Sequence, residues 1–300
     1  MNRPLPSGVC VRVKGGLGNQ LFIYAAGRSV AHRNGTRLWL DSRSGYARDE
    51  FDRKCLLSAF TIAADEAPEG SFYVSASRWR RLLIRRLNRG LPVRWRTYVE
   101  QTDNEFMPEI LTLEAGRDRY LDGYWQSDRY FADATDLIRA ELTITRAPQP
   151  ENRQWLERIA AGESVAVHCR RKRLSRTLSS RDYSDAIGIV QDQVRRPEFF
   201  VFSDDPAWAH ANLRFPGPVS FIEQPNVAGS EIADFQLMCA CRHFIIANSS
   251  FSWWGAWLGR GAGKQVIAPE SFEHWGAGLM LPSSWTLVPF SAEPSNLGLG

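Results

Sequence analysis

An α/β fold of two lobes, each built on a parallel sheet, is what the sequence predicts, and three observations predict it. Short β-branched and aromatic runs alternate with helical stretches on tight turns through the second half of the chain. The first half opens on the same pattern: strand, glycine turn, helix, strand. The length, 300 residues, lies where one hydrophobic core stops growing and chains divide. Sheets of this kind are covered by helices on both faces, and their ligands bind at the carboxyl ends of the strands.

Taken in order, Val9-Cys10-Val11-Arg12-Val13 is the first strand, and Lys14-Gly15-Gly16-Leu17-Gly18-Asn19-Gln20 is the turn after it. Leu21 to Arg33 follows as a helix with Leu21, Tyr24, Ala25 and Val30 as its apolar positions. Asn34-Gly35 ends it as a left-handed cap does. Leu38-Trp39-Leu40-Asp41 is the next strand. Residues 42–130 are less periodic and yield no further detail beyond an amphipathic helix within 78–96. Pro148 and Pro150 interrupt the pattern, which sets the lobe boundary within 146–153 and divides the chain into lobes of 1–150 and 151–300. In the second lobe 165–169, 199–202, 219–222, 244–247 and 266–269 are strands. Helices fall at 183–194, at a short segment opened by Asp205-Pro206, at 231–241 with Ser230 as cap, and at 251–258.

Composition excludes several classes. Hydrophobic residues make up 44% and charged residues 23%, which rules out a disordered chain, a collagen and a small disulfide scaffold. No window of 18 residues is apolar and uncharged, and 1–8 lacks the apolar run of a signal peptide. Five cysteines, an odd number without a CxxC pair, fit a reduced, cytoplasmic protein. No HExxH, no metal-spaced Cys/His set and no Asp-x-Asp occurs, so no metal is expected. The net charge of +4 is unevenly placed: 78–96 holds eight arginines and no acid, leaving the rest of the chain net acidic. That locality argues against a nucleic-acid partner. With Leu82, Leu83, Ile84 and Leu87 between arginines and Trp79 and Trp95 flanking them, 78–96 suits either an anionic membrane surface or a solvated helix lying on the protein itself.

Four strand ends carry polar residues that a buried sheet does not need. After the first strand, Gly16 and Gly18 allow close backbone approach to a phosphate at a helix start, although Ile23 replaces the third glycine of a dinucleotide fingerprint. At His168-Cys169-Arg170-Arg171, paired guanidinium groups offer charge-assisted hydrogen bonds of about 1.5–3 kcal/mol each to a diphosphate. In Phe202-Ser203-Asp204-Asp205 a carboxylate suits the N–H edge of guanine, or caps the next helix. In Asn248-Ser249-Ser250-Phe251, hydroxyls and N–H groups start a helix, and the Phe251 ring either stacks on a base or packs in the core. The tryptophans that follow have the helical spacing of lobe packing. Together these four describe a metal-free pocket for a nucleoside diphosphate.

The combination resembles glycosyltransferase family 11, the α-1,2-fucosyltransferases. The resemblance rests on Gly15 to Phe22, Gly123 to Phe131, His168 to Arg171, Phe202 to Asp205 and, most specifically, the long segment Leu237 to Trp257. It implies a GT-B-like fold, two Rossmann-like lobes with a donor cleft between them, the first lobe on the acceptor side and the second binding the nucleotide sugar. It implies GDP-β-L-fucose as donor and inverting transfer to the 2-hydroxyl of a galactoside glycan without a metal or other cofactor. Arg170, Arg171 and His168 are then the catalytic group, with the arginines on the diphosphate. Ser249 and Ser250 hold the phosphates beside Asn248 and Phe251, Asp204 reads guanine, and Gly16, Gly18 and Asn19 line the cleft from the other lobe. Transfer through an oxocarbenium-like state loads negative charge on the leaving GDP, which fixed cations stabilise.

One departure stands out. Relatives continue the His-x-Arg-Arg motif with Gly-Asp-Tyr, whereas this chain has Lys172-Arg173-Leu174; Asp182-Tyr183 aligns better with the start of the next helix than with the lost acid. The change from acid to cation admits an anionic acceptor, or a degenerate GDP-sugar-binding protein without turnover. A nicotinamide oxidoreductase rests on the glycine turn alone. A lipid-linked acceptor accords with a peripheral membrane contact through 78–96.

Overall fold

A computed structural model describes residues 8–68, 78–103, 105–114, 117–172, 176–223, 230–270, 281–289 and 293–294. Two compact units divide the chain, the first taking the chain up to Thr145 together with 275–281, the second 146–274 and 282–300.

The first unit runs β1 (Gly8–Arg12), α1 (Leu17–Arg33), β2 (Arg37–Asp41), β3 (Asp65–Glu66), α2 (Arg78–Arg89), β4 (Tyr98–Glu100), β5 (Arg119–Asp122) and α3 (Thr135–Glu141). Its five strands lie in the order β3-β2-β1-β5-β4, all parallel. α1 starts four residues earlier than its apolar pattern indicates, because Gly16 already serves as its N-cap. Gly35, at φ +59°, takes the left-handed conformation expected of the helix end. α1 lies close on β1: a Cβ at Gly27 would stand 2.2 Å from Val11 Cγ1.

The interior strand β5, between β1 and β4, escapes sequence reading because charged residues bound it. Arg119 is buried and donates to the carbonyls of Arg96 and Arg94 at 2.7 and 3.0 Å. Asp122 is buried against Arg12, Lys14 and Tyr98. Arg119 is met by backbone carbonyls and Asp122 by two cations, as burial demands. α2 sits in the 78–96 stretch and is held to the sheet by Ile84, in a cluster with Trp39, Tyr98 and Tyr120, and by Asn88, which accepts from the Thr97 and Tyr98 N–H groups.

The second unit runs α4 (Pro150–Ala161), β6 (Glu163–Cys169), β7 (Arg176–Thr177), α5 (Ser180–Gln193), β8 (Pro197–Ser203), α6 (Pro206–Asn212), β9 (Val219–Ile222), α7 (Ser230–Ala240), β10 (His243–Ile245), α8 (Ser250–Leu258), β11 (Val266–Pro269), β12 (Thr286–Val288) and β13 (Glu293–Pro294). Six parallel strands lie in the order β12-β11-β10-β6-β8-β9. β13 pairs antiparallel with β7 in a separate two-stranded ribbon. Arg146 to Pro150 belong with this unit: Pro150 opens α4, and the Arg146 carbonyl accepts from Gln236 of α7. α5 begins at Ser180, not at the first apolar residue Tyr183, because Ser179 and Asp182 form a reciprocal capping box. Asp182-Tyr183 is therefore a helix start, as its alignment suggests. Ser230 is the first residue of α7 itself.

The unit's core gathers Val165, Val167, Tyr183, Val190, Phe199, Val201 and Ile245 between sheet and helices. On the other side Trp253 and Trp254 are buried edge to face, and Trp253 also meets Trp257 and Trp285. The tryptophans of α8 are thus packing residues. All five cysteines are free thiols. Among the described residues no helix is long and apolar enough to cross a membrane.

Gly27 supplies a direct test of the α1–β1 contact. An exposed helical Gly→Ala change gains about 1 kcal/mol, but Gly27→Ala drives its methyl into Val11. We expect it to lower stability by about 1–3 kcal/mol, read as a lower urea midpoint with an unchanged slope.

Candidate functional site

Register brings three strand ends of the second unit side by side. β6 and β8 pair from Glu163 opposite Pro197 to Cys169 opposite Ser203, so Arg170 and Asp204 leave the sheet together. β10 pairs on the other edge of β6, Ile245 opposite Val167, so Asn248 and Ser249 emerge beside them. This gathers His168, Arg170, Arg171, Asp204, Asn248, Ser249, Ser250 and Phe251 at one carboxyl edge, where parallel sheets bind ligands.

Asp204 is the centre of this edge. Its Oδ1 accepts from the Arg171 N–H at 2.7 Å, and its Oδ2 from the Lys172 N–H at 3.1 Å and the Arg170 guanidinium at 3.1 Å. Both carboxylate oxygens therefore tie down the turn after β6. Neighbouring Asp205 caps α6 by accepting from Trp208 N–H.

The two arginines, equivalent in sequence, differ in space. Arg170 keeps 31% of its side chain exposed beside Asp204. Arg171 turns away: its Nη1 donates to Thr177 Oγ1 at 2.7 Å and to the Leu178 carbonyl at 3.0 Å. Its guanidinium also lies 3.9 Å over the Trp208 ring. Thr177 and Trp208 carry no sequence signal, because their role depends on where β7 and α6 place them. Lys172 is exposed, while Arg173 and Leu174 lie outside the described residues.

His168 is buried under this turn. Its carbonyl accepts from Tyr183 Oη at 3.0 Å, and its ring faces the Phe251 ring at 5.6 Å. Phe251 in turn meets Phe235 of α7 at 5.2 Å, so it packs. Burial, with Arg170 adding to it, pushes His168 down to about 3, and the imidazole is neutral at physiological pH. His168 Nδ1 and Asn248 Oδ1 are buried with no hydrogen-bond partner among the described residues. Ser249 is the N-cap of α8 but its side chain makes no capping bond. The first-turn N–H groups of α8 thus point at this edge without the usual hydroxyl acceptor.

Gly16, Gly18 and Asn19 belong to the first unit, at the carboxyl end of β1. Gly15 has φ +78°, and a Cβ there would meet the Asn19 side chain at 2.8 Å. Gly16 caps α1 with no side-chain bond, and Asn19 Oδ1 accepts from Gln126 at 2.8 Å. Gln20, buried, donates to the Gly15 and Lys54 carbonyls and fixes the turn. Lys14 donates to Asp122 at 2.7 Å and lies 4.9 Å over the Tyr124 ring. Lys14 and Arg12 hold the buried Asp122 carboxyl down at about 2. Trp125, next in chain, has φ +54°, which a bulky residue rarely adopts, and its N–H is held by Gln101 Oε1.

Asp234 in α7 is a titratable group that the sequence pattern hides inside an apolar helix. Its Oδ1 is buried and unpartnered among the described residues. Burial, then Glu231, raises it to about 7. Among the described residues no three His, Cys, Asp or Glu side chains come together to hold a metal ion.

The profile of glycosyl transferase family 11 matches residues 97–275, more than half the chain. An α-1,2-colitosyltransferase of Escherichia coli is 29% identical over 266 residues, 83% of this chain and 87% of that protein. The O-antigen biosynthesis glycosyltransferase WbnK of Escherichia coli is 39% identical over 103 residues, 32% of this chain and 30% of that protein. Galactoside 2-α-L-fucosyltransferase SEC1 of Bos taurus is 24% identical, with 87% of this chain and 67% of that protein aligned. Among solved structures, NodZ α-1,6-fucosyltransferase soaked with GDP-fucose superposes with a TM-score of 0.50 at 16% identity, covering 88% of this chain and 96% of that one. A mutant of Arabidopsis thaliana FUT1 in complex with GDP superposes at 0.52 and 11% identity, covering 89% and 71%. These likenesses carry the fold: the two parallel-sheet units are of the GT-B class.

The titrations give a signed test. Unfolded, Asp234 ionises near 3.8; folded, near 7. The fold therefore binds the extra proton between these values, and stability is lost as pH rises through them. Asp234→Asn should stabilise the protein by an amount that is small near pH 4, grows with pH and levels off above about 7. His168 acts oppositely: its folded value lies below the unfolded 6.5, so the stability it supports is present above 6.5 and lost as pH falls toward 3. Urea unfolding at several pH values checks both.

Proposed function

Because the chain belongs to glycosyl transferase family 11, we propose that it transfers L-fucose from GDP-β-L-fucose to the 2-hydroxyl of a terminal galactoside, with inversion. The observation that carries this reading is the carboxyl edge of the second sheet, where a fixed guanidinium, the uncapped start of α8 and the unpartnered Asn248 oxygen stand together. A diphosphate is met there by the Arg170 charge and by the α8 N–H groups with Ser249 and Ser250. Asn248 Oδ1 takes a hydroxyl or N–H donor of the nucleoside. Phe251, backed by His168 and Phe235, forms a wall. Arg171 and Asp204 act through position: they hold the turn that aims Arg170. His168, neutral and buried, stays a structural base of that turn. Gly16, Gly18 and Asn19 form the glycine turn of the first unit, which we read as the acceptor-side lobe.

In the reaction the galactoside oxygen attacks the fucosyl C1 from the face opposite GDP. The C1–O bond to the β-phosphate breaks and its electron pair leaves with GDP, while the hydroxyl proton passes to solvent or to a base. Negative charge grows on the leaving phosphate, and a cation already in place stabilises that state more than the ground state. In this reading Arg170 supplies the charge, without a metal or other cofactor. The protein works in the cytoplasm on a galactoside glycan that is free or lipid-linked.

We expect calorimetry to show GDP binding with EDTA present, and GDP release when GDP-fucose and a galactoside are both supplied. Arg170→Ala should lower kcat by about 10²–10³ with the fold intact. Arg171→Ala should lower both GDP affinity and melting temperature, since its contacts are internal. GDP binding without turnover identifies a degenerate binder; no GDP binding refutes the reading. GDP-colitose, whose sugar lacks the 3-hydroxyl of fucose, is the competing donor, suggested by the colitosyltransferase relative. Lys172, exposed beside the site, motivates an anionic acceptor: faster transfer to uronate- or phosphate-bearing galactosides than to neutral ones supports it, and equal rates refute it.

A further inference from the structure

α2 is anchored on one face and open on the other. Ile84 is buried in the first unit's core, and Asn88 bonds the Ile84 carbonyl and the Thr97 and Tyr98 N–H groups. At 3.6 residues per turn, Trp79, Leu82, Leu83 and Arg86 share the opposite face. Trp79 is 82% exposed, Leu83 60% and Leu87 67%. The surface continues past the helix to exposed Leu91 and Trp95, and Trp95 lies between the Arg117 and Arg94 guanidinium groups at 4.4 and 6.0 Å. Large apolar side chains so exposed on one helix mark an interaction surface.

The charge around the patch identifies its occupant. The stretch 78–96 has eight arginines and no acid. Glu100 pairs with Arg85 and Arg89 on the helix flank, which leaves Arg86 and Arg94 exposed beside the apolar side chains. A second copy of the chain pressed on this face would oppose arginine to arginine. A nucleic acid would take the arginines but leave Leu82, Leu83 and Leu87 without an apolar partner. A bilayer with anionic headgroups meets both demands, since leucine and tryptophan side chains enter the headgroup–acyl boundary while guanidinium groups stay among the phosphates.

We propose that α2 and the Leu91–Trp95 segment dock the first unit on an anionic lipid surface. The surface is separate from the donor chemistry, so failure of either reading leaves the other standing. The test uses full-length protein with phosphatidylglycerol-containing vesicles and pure phosphatidylcholine vesicles, in flotation at low and high salt. The protein should float with the anionic vesicles only, and less at high salt. Trp79→Gln with Leu83→Gln and Leu87→Gln should lower the partition at least about tenfold, as should Arg86→Gln with Arg94→Gln. Both variants should keep the melting temperature and GDP binding of the parent, because the changed side chains are exposed. Brominated acyl chains should quench tryptophan fluorescence, and Trp79→Phe should remove part of that quenching. Equal flotation with neutral vesicles, or undiminished flotation of either variant, overturns the proposal. So does a lipid-free dimer abolished by the apolar substitutions, which assigns the face to a second copy.

Discussion

The Asp204 carboxylate is the constraint on which the carboxyl edge of the second sheet depends. It accepts from two consecutive backbone N–H groups and from one guanidinium, all on the turn after β6. The pairing of β6 with β8 puts it there, because Cys169 stands opposite Ser203. A carboxylate with this many donors is worth more as a fixture than as a free reader of a base. Its effect on Arg170 has two sides. The acid offsets part of the positive charge, but it also fixes the guanidinium in one direction. A fixed charge need not reorganise when charge develops nearby, and that is where electrostatic stabilisation is largest.

The first unit uses the same device on its own sheet. Asp122, at the carboxyl end of β5, is buried between Arg12 and Lys14 and accepts from Tyr98 Oη at 2.6 Å. A buried acid holding two cations requires good geometry, since removing the acid would leave both cations without their counter-charge. In both units, then, a strand-end carboxylate organises basic groups at the edge where parallel sheets bind ligands. The strained Trp125 backbone lies after Gly123 and Tyr124 at the end of β5, and Gln126 beyond it reaches Asn19. Strain of this sort persists where surrounding contacts hold it, here the Gln101 oxygen on the Tyr124 and Trp125 N–H groups.

What was legible in the sequence follows from which residues sit inside. The strands at 165–169 and 199–202 are apolar runs because helices cover both faces, and they appear where expected. The apolar pattern places helix beginnings late, because α1 starts straight from the glycine turn and α5 from a Ser179–Asp182 capping box. β5 is hidden in the sequence because its ends are charged, and the carbonyl and cation that satisfy Arg119 and Asp122 lie far off along the chain. The site residues at strand ends were visible as polar residues in places a core does not need. Their division of labour was not. Arg170 and Arg171 are adjacent and chemically identical, and Thr177, Leu178 and Trp208 separate them only after folding.

Among the described residues the second unit leaves several buried side-chain atoms without a hydrogen-bond partner, two of them at the carboxyl edge of its sheet. An unsatisfied buried polar atom costs about 1–3 kcal/mol, and most native structures avoid it. Asn248 Oδ1 and His168 Nδ1 are both in this state, next to an α8 start that lacks a side-chain cap. Asp234 Oδ1 shares that state within α7, but its carboxyl is raised enough to take up a proton near neutrality and so shed its charge. Asn248 has no such escape, because an amide does not titrate. His168 already relinquishes its charge through burial and still lacks a partner for Nδ1. A hydrogen-bond donor brought to the Asn248 oxygen would recover that cost. At this edge a ligand that carries hydrogen-bond donors and negative charge would suit the Asn248 oxygen and the α8 start, as the proposed nucleoside diphosphate does.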